Sequence, residues 1–344
     1  MDLSELQRQI VEAPEEKIVV MSAAASGKSA CCAERVRFWL KNGVNPKDIC
    51  VITFTNNAAQ ELRNRLQEDY NPDLFIGTIH SLANQMLMKS NINTFDLLNK
   101  EKFDELFEMV EEHPECVIHY DYLILDEAQD SSPVEFNFIF NMIEPYNFFV
   151  CGDTRQAIYG FRGGDPKLLS NLSRRKDVTI YELNENYRNA PNILNEAKRI
   201  LLKAGMEDDS IAVKMRNGDF VRAEYSNALL IQTIRSRGNL KDWYVLTRTN
   251  AQVDFIQGVL DKYKIPNLTF KQGQNDLDKL NELMEKDAVK VLTIHSAKGL
   301  NLPYVIVYGA WGGRKEEIRL NYVAATRAEE GLYWYTVPKK NKRF

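Results

Sequence analysis

Residues 17–29 read KIVVMSAAASGKS, a short apolar run that passes through small residues into Gly27-Lys28-Ser29. The run has the length and composition of a buried strand, and the small residues after it suit a tight loop opening a helix. Such a loop offers backbone N–H groups to phosphate. Lys28 would reach the β and γ groups, and the Ser29 hydroxyl would hold Mg²⁺. Further along, residues 122–130 read YLILDEAQD, a second apolar run that ends on Asp126-Glu127. Asp126 suits the same ion, and Glu127 is placed to orient and deprotonate an attacking water. Together the two stretches point to an enzyme that hydrolyses a nucleoside triphosphate. The G-x-x-x-x-G-K-[ST] pattern wants Gly where Ser22 stands, and Ala24 and Ala25 add bulk just before Ser26.

Outward from this pair, length and composition set limits. A chain of 344 residues exceeds what one core usually supports, so two domains of roughly 150–180 residues each are expected. No apolar run approaches the roughly 18 residues of a membrane span, and no cleavable leader pattern appears. The expectation is a soluble intracellular protein, cytoplasmic or nucleoid-associated. The 5 cysteines have no paired metal spacing and read as small buried hydrophobes. With 44 basic against 48 acidic residues the net charge is −4, which does not advertise a nucleic-acid binder. A local groove can still be positive on an acidic protein. The basic tail 339–344 reads as a solvated end.

The first half alternates apolar strands with helical stretches, the pattern of a parallel sheet covered by helices. The strand candidates are KIVVM, ICVITFT, FIGTIH, DYLILDE and FFVCGD. Between His80 and Tyr122 the pattern turns helical: Phe103, Leu106, Phe107 and Val110 are spaced as one helix face. A second unit is expected from near Asp177, with strand candidates VTIYEL, WYVLTR, VKVLTIH, YVIVYGA and GLYWYTV. Pro191 suits the first turn of the helix after Ala190. The charged stretch 207–217 and the polar one at 272–279 read as surface connections.

Further segments belong to the same account: GTIHSLA at 77–83, GDTRQAIYGFRGGD at 152–165, ELNENYRNAPNIL at 182–194, VLTIHSAKGLNLPYVIV at 291–307 and RLNYVAATRAEEGL at 319–332. With LSELQRQIV, the phosphate loop, VITFTNNAAQELRNRL and LILDEAQD, this ordered set resembles the UvrD/Rep/PcrA-like branch of superfamily 1 DNA helicases. The resemblance runs from Leu3 to about Val337. It implies an α/β fold of two RecA-like P-loop NTPase domains, parallel sheets flanked by helices. The first would span 1–177, with a small helical insertion at about 85–118, and the second 178–344.

The resemblance also assigns roles. Gln7 would read the adenine edge, and Tyr187 would stack on the adenine ring. Ser26, Gly27 and Gly299 join the nucleotide contacts, and Gln156 would sense the γ-phosphate. Arg188 and Arg327 would reach that phosphate as guanidinium donors, alongside Lys28, Asp126 and Glu127. Along the nucleic-acid track the resemblance sets Phe54, Thr55, Asn57, His80, Tyr159, Phe161, Arg162 and His295. ATP and Mg²⁺ are the implied cofactors, and single-stranded DNA or a single-strand/duplex junction is the implied partner. A loading or stimulating protein is a further expected partner, and a monomer the expected state.

The implied activity is an ATP-dependent translocase or helicase on single-stranded DNA, moving 3′ to 5′ by resemblance only. A nucleotide-gated DNA-binding subunit with weak or lost ATPase stays open, as does an RNA-directed motor. Several departures bear on this. Ala30 stands where relatives commonly have Arg, Asn301 where they have Glu, and Phe161 where they often have Trp. The family's large insertions, before the Asp126 motif and between the Arg188 and His295 motifs, are reduced or nearly absent.

Overall fold

The computed structural model describes residues 3–100, 102–271, 282–309 and 314–337. Contacts divide the chain into two units, Met1–Leu183 and Asn184–Phe344. The tail 339–344 and the stretch 272–279 lie outside the described residues.

The first unit opens with α1 (Glu5–Val11), closed by a capping box in which Ser4 Oγ accepts from Gln7 N and Gln7 Oε1 accepts from Ser4 N. Then β1 (Lys17–Ser22), α2 (Lys28–Lys41), β2 (Ile49–Ile52), α3 (Asn56–Leu66) and β3 (Phe75–Gly77) alternate. The helical stretch is α4 (Ile79–Lys89), α5 (Phe95–Asn99) and α6 (Phe103–Glu112). After it come β4 (Tyr122–Leu125), α7 (Pro133–Asn137), β5 (Asn147–Gly152), α8 (Pro166–Leu172) and β6 (Thr179–Leu183). The strands form one six-stranded sheet, order β3-β2-β4-β5-β1-β6, parallel throughout.

Strand alternation explains why β1 is apolar at nearly every position. Ile18 and Val20 face a core with Ile10, Cys32 and Leu62, while Val19 faces another with Leu82, Phe107 and Phe138. A sheet covered on both sides needs apolar residues on both sides. Buried Arg35 ties α2 to the end of α1. Its Nη1 donates to the Val11 and Ala13 carbonyls at 2.7 Å each, and its guanidinium lies over the Trp39 ring. All five cysteines are buried and free, as the sequence suggests, and burial pushes the Cys31 thiol up to about 12.

Two expectations are corrected here. VTIYEL, expected as the first strand of the second unit, is β6 and pairs in parallel with β1, Ile18 opposite Thr179 through Ser22 opposite Leu183. Apolar alternation marks a strand but carries no address for its partner. In α6, Leu106, Phe107 and Val110 are buried as expected, but Phe103 is 37% exposed because it stands at the first helical position.

The second unit contains β7 (Glu185–Asn186), α9 (Pro191–Leu202), β8 (Ile211–Ala212), β9 (Asp219–Glu224), α10 (Asn227–Arg235), β10 (Trp243–Thr247) and α11 (Asn250–Lys262). It continues through β11 (Asn267–Phe270), β12 (Val289–Thr293), β13 (Leu302–Tyr308), α12 (Lys315–Ala325) and β14 (Ala328–Thr336). Its six-stranded sheet is ordered β11-β12-β10-β13-β14-β9 and is again parallel, with β7 and β8 as a separate pair. Ala190 is the N-cap of α9 with Pro191 next, as the sequence predicts. β9 and β11 are not legible in the sequence: DFVRAE is an edge strand rich in charge, and NLTF is short.

Candidate active site

The phosphate loop is residues 23–27, between β1 and α2. Ala25 sits at φ 55° and Gly27 at φ 84°, so the chain turns left-handed twice within the loop. No side chain caps α2. A helix start of this kind favours an anion, because its dipole is positive there. The buried Ser26 hydroxyl has no hydrogen-bond partner among the described residues. These features fit a bound phosphate chain. Two of the three departures from the glycine-rich pattern have a place in the packing. Ser22 Oγ donates to the Gly152 carbonyl at 3.0 Å, pinning the end of β1 to β5, and Ala24 is fully buried.

Gln7 is buried beside this loop, its Nε2 donating to Ser26 O at 2.9 Å. A Cβ on Gly27 would stand 2.4 Å from that nitrogen. Gly27→Ala is therefore expected to destabilise the first unit by about 1–2 kcal/mol through its left-handed backbone and to force Gln7 off Ser26. Thermal unfolding of the single variant, Gln7→Ala and the double variant checks this. A coupling of zero between the two sites would show that Gln7 and Gly27 do not press on each other.

Across the loop, β4 delivers the acidic pair. Ser29 Oγ lies 3.4 Å from Asp126 Oδ2, and Lys28 Nζ lies 3.4 Å from Glu127 Oε1. Burial and the neighbouring Glu127 charge push Asp126 up to about 6, against the pull of Lys28. A divalent cation would offset that cost. Among the described residues no group of three or more His, Cys, Asp or Glu is arranged to hold a metal. The one carboxylate and one hydroxyl here are what Mg²⁺ takes when phosphate oxygens and waters complete its shell. Glu127 itself has φ 57°, a left-handed conformation worth roughly 1–3 kcal/mol of strain for a non-glycine residue. Its amide donates to Asp126 Oδ1 at 2.9 Å, which helps hold the turn.

One residue that sequence reasoning passes over joins these parts. Gln129 is fully buried; its Nε2 donates to Glu127 Oε2, and its Oε1 accepts from Asp153 N at 2.9 Å. Asp153 in turn accepts from Gln156 Nε2 at 2.8 Å and from Arg155 Nε at 2.7 Å, while Arg155 Nη2 reaches the Ser22 carbonyl. A change at the Glu127 carboxylate can thus be felt at Gln156 and at the base of the phosphate loop. The signal is present in LILDEAQD, three residues after Asp126.

In the second unit Arg188 and Arg327 meet at Thr326. Arg188 donates to the Thr326 carbonyl at 3.0 Å and to Asn301 Oδ1, and Arg327 Nη2 reaches Thr326 Oγ1 at 3.4 Å. Asn301 therefore acts as a neutral acceptor that orients Arg188. Tyr187 is exposed and donates its hydroxyl to Glu185. Gly299 has φ 90°, in the turn after β12.

Four of the track residues of the first unit, Phe54, Tyr159, Phe161 and Arg162, lie against one another. Phe54 lies 4.5 Å from Tyr159, ring centre to ring centre, and Tyr159 lies 5.9 Å from Phe161. Arg162 sits over both Tyr159 and Phe161. Phe161 is 54% exposed, whereas Tyr159 is only 9% exposed and serves mainly as backing for its neighbours. Thr55 caps α3 through Ala58 N, with Asn57 exposed beside it. His80, expected at a strand end, is in the first turn of α4, because β3 stops at Gly77 and Thr78 caps the helix. Burial, with the Arg162 charge adding, pulls its imidazole below the usual range against Asp104.

The second unit repeats this construction. Thr53 Oγ1 donates to Thr55 O after β2, and Thr247 Oγ1 to Thr249 O after β10; TFTN and TRTN each open a helix. Each turn lies beside a parallel strand that runs into TIHS, so His295 and Arg248 stand in the second unit roughly as His80 and Phe54 do in the first. Sequence reasoning does not single out Arg248, although the matching letters are there.

Comparison with known proteins gives a family. The model of the UvrD/REP helicase N-terminal domain matches residues 3–117 and 96–177, and that of the UvrD-like helicase C-terminal domain matches 273–338. A probable DNA helicase of Mycoplasma pneumoniae is 23% identical, over 97% of this chain and 83% of its own length. DNA helicase II of Haemophilus influenzae is 22% identical over 77% of this chain, and the ATP-dependent DNA helicase PcrA of Staphylococcus epidermidis 24% over 79%. The chain spans about half the length of these last two, 52% and 51%.

Proposed function

This chain belongs to the UvrD/REP helicase family, and we propose that it is an ATP-driven motor on single-stranded DNA, moving 3′ to 5′. The observation that carries the reading is the grouping of Lys28, Ser29, Asp126 and Glu127 around an uncapped helix start, wired through Gln129 to Gln156. Bound ATP with Mg²⁺ would supply the phosphoanhydride and the charge neutralisation. Backbone amides at the start of α2 and Lys28 would hold the phosphates; Ser29 and Asp126 would hold the ion. Glu127 would take the proton of the attacking water and Gln156 would orient it; by resemblance, Arg188 and Arg327 would donate to the transferring phosphoryl group, where charge spreads over the oxygens. By resemblance, Gln7 would read the adenine edge and Tyr187 would stack on the ring.

Strand binding is assigned to the aromatic surface of the first unit and to Thr55, Asn57 and His295. Ring stacking tolerates any base, as a motor requires. Phe161→Ala is expected to weaken single-strand binding by about 1–3 kcal/mol and to spare DNA-free turnover. Equal anisotropy affinities for variant and wild type would make Phe161 a packing residue.

The direct test is phosphate release with and without DNA and RNA oligonucleotides at saturating Mg²⁺-ATP. Stimulation by single-stranded DNA is expected. No turnover under any condition would favour a nucleotide-gated binding subunit, the reading that the left-handed Ala25 in the phosphate loop supports. Stimulation by RNA alone would redirect the motor to that strand.

A further inference from the structure

Phe103 stands outside the motifs that define the family, at the start of α6 in the helical stretch, and its ring is partly open to solvent while Leu106, Phe107 and Val110 of the same helix are buried. A lone exposed phenylalanine needs no explanation. This one packs its ring 4.8 Å from His80, at an interplanar angle of 47°. His80 in turn feels the Arg162 charge, and Arg162 lies 5.7 Å from the Tyr159 ring centre and 5.8 Å from that of Phe161. Phe54, Tyr159, Phe161 and Arg162 are thus consecutive neighbours, and Phe103 packs on His80, which the family resemblance sets on the same track. Resting on the single-strand reading above, we propose that Phe103 is a base-stacking residue that extends the nucleic-acid track onto the helical stretch by about one nucleotide.

The surrounding charge says which part of a nucleotide it meets. Asp104 acts on His80, and the Glu135 carboxylate lies 3.6 Å from His80 Nε2. With these two carboxylates set against the Arg162 charge, the spot has no surplus of positive charge to draw phosphate, whereas a flat, uncharged base is accepted. Burial pulls the His80 imidazole below its usual range, and its ring beside Phe103 offers a base a second flat face. Base–aromatic stacking depends on a π-face, so a leucine of similar bulk would keep the contact with His80 and lose the interaction with DNA.

The test measures anisotropy of a fluorescein-labelled 20-nucleotide oligo-dT with the full chain as wild type, Phe103→Leu, Phe103→Trp and Phe161→Ala. Phe103→Leu is expected to weaken binding by about 5- to 150-fold, and Phe103→Trp to bind at least as tightly as wild type. Irradiating wild type with an oligonucleotide that carries 5-iododeoxyuridine should give a cross-link at Phe103 by mass spectrometry, a readout that needs no variant to fold. Wild-type affinity in Phe103→Leu beside weakened binding in Phe161→Ala, with no cross-link at Phe103, would overturn this assignment and leave the single-strand reading standing. Failure of wild type to bind the oligonucleotide would overturn both.

Discussion

Glu127→Gln should lower DNA-stimulated ATP turnover by about 10²–10⁴-fold, the usual worth of a general base, while nucleotide affinity stays within a few-fold of wild type. The isosteric amide keeps the left-handed turn and the Asp126 contact to the residue 127 amide, and it leaves Ser29 and Asp126 in place to hold the ion. It removes the basic oxygen. It also replaces the Lys28 ion pair by a weaker dipole contact, so Lys28 turns to phosphate more readily. Phosphate-release kinetics beside binding of a fluorescent ATP analogue separate the two quantities. Turnover within tenfold of wild type would remove Glu127 from the chemistry.

The second large effect is expected at the arginines. Guanidinium donors to a transferring phosphoryl group are worth about 10³–10⁵ in rate, so Arg327→Ala and Arg188→Ala should each depress turnover far more than ATP binding. Arg327 is 2% exposed and donates through Nε to the Val323 carbonyl at 3.2 Å, so its loss also leaves a buried acceptor unpaired. Arg327→Lys controls for this, since a lysine keeps charge and bulk but not the planar fork. Folded Arg327→Lys with wild-type turnover would rule out a role for the fork at this position. Arg188→Ala, less buried, gives the cleaner kinetic reading.

How much of this is legible in the sequence depends on the range of each interaction. β1, β4 and β5 are readable because a strand covered on both faces has to be apolar along its length, and their chemistry-bearing ends come directly after them in the chain. β6 is readable as a strand but not as the neighbour of β1, since partner choice is settled by packing between distant segments. The clustering of Lys28, Ser29, Asp126 and Glu127 comes from matching spacing to a known chemistry. The hydrogen bonds of Gln129 and Ser22 cannot be read that way. Each joins residues far apart in the chain, Gln129 to Asp153 and Ser22 to Gly152, and a glutamine or serine in isolation has many acceptable partners. Phe103 departs from its expected burial because helical periodicity gives the face but not where the covering layer stops.

The position of β6 also sets a clock. β1 is completed only when β5 on one side and β6 on the other have paired with it, and β6 ends at Leu183. During synthesis at about 5–20 residues per second, the strand that carries the phosphate loop therefore waits roughly 8–30 s after its own emergence before its last edge is covered. In that interval its apolar edge is open to wrong partners. Chains stalled just before Thr179 should thus be captured by holding chaperones more strongly than chains stalled after the first unit has fully emerged, and ATP binding should first appear in the longer ones.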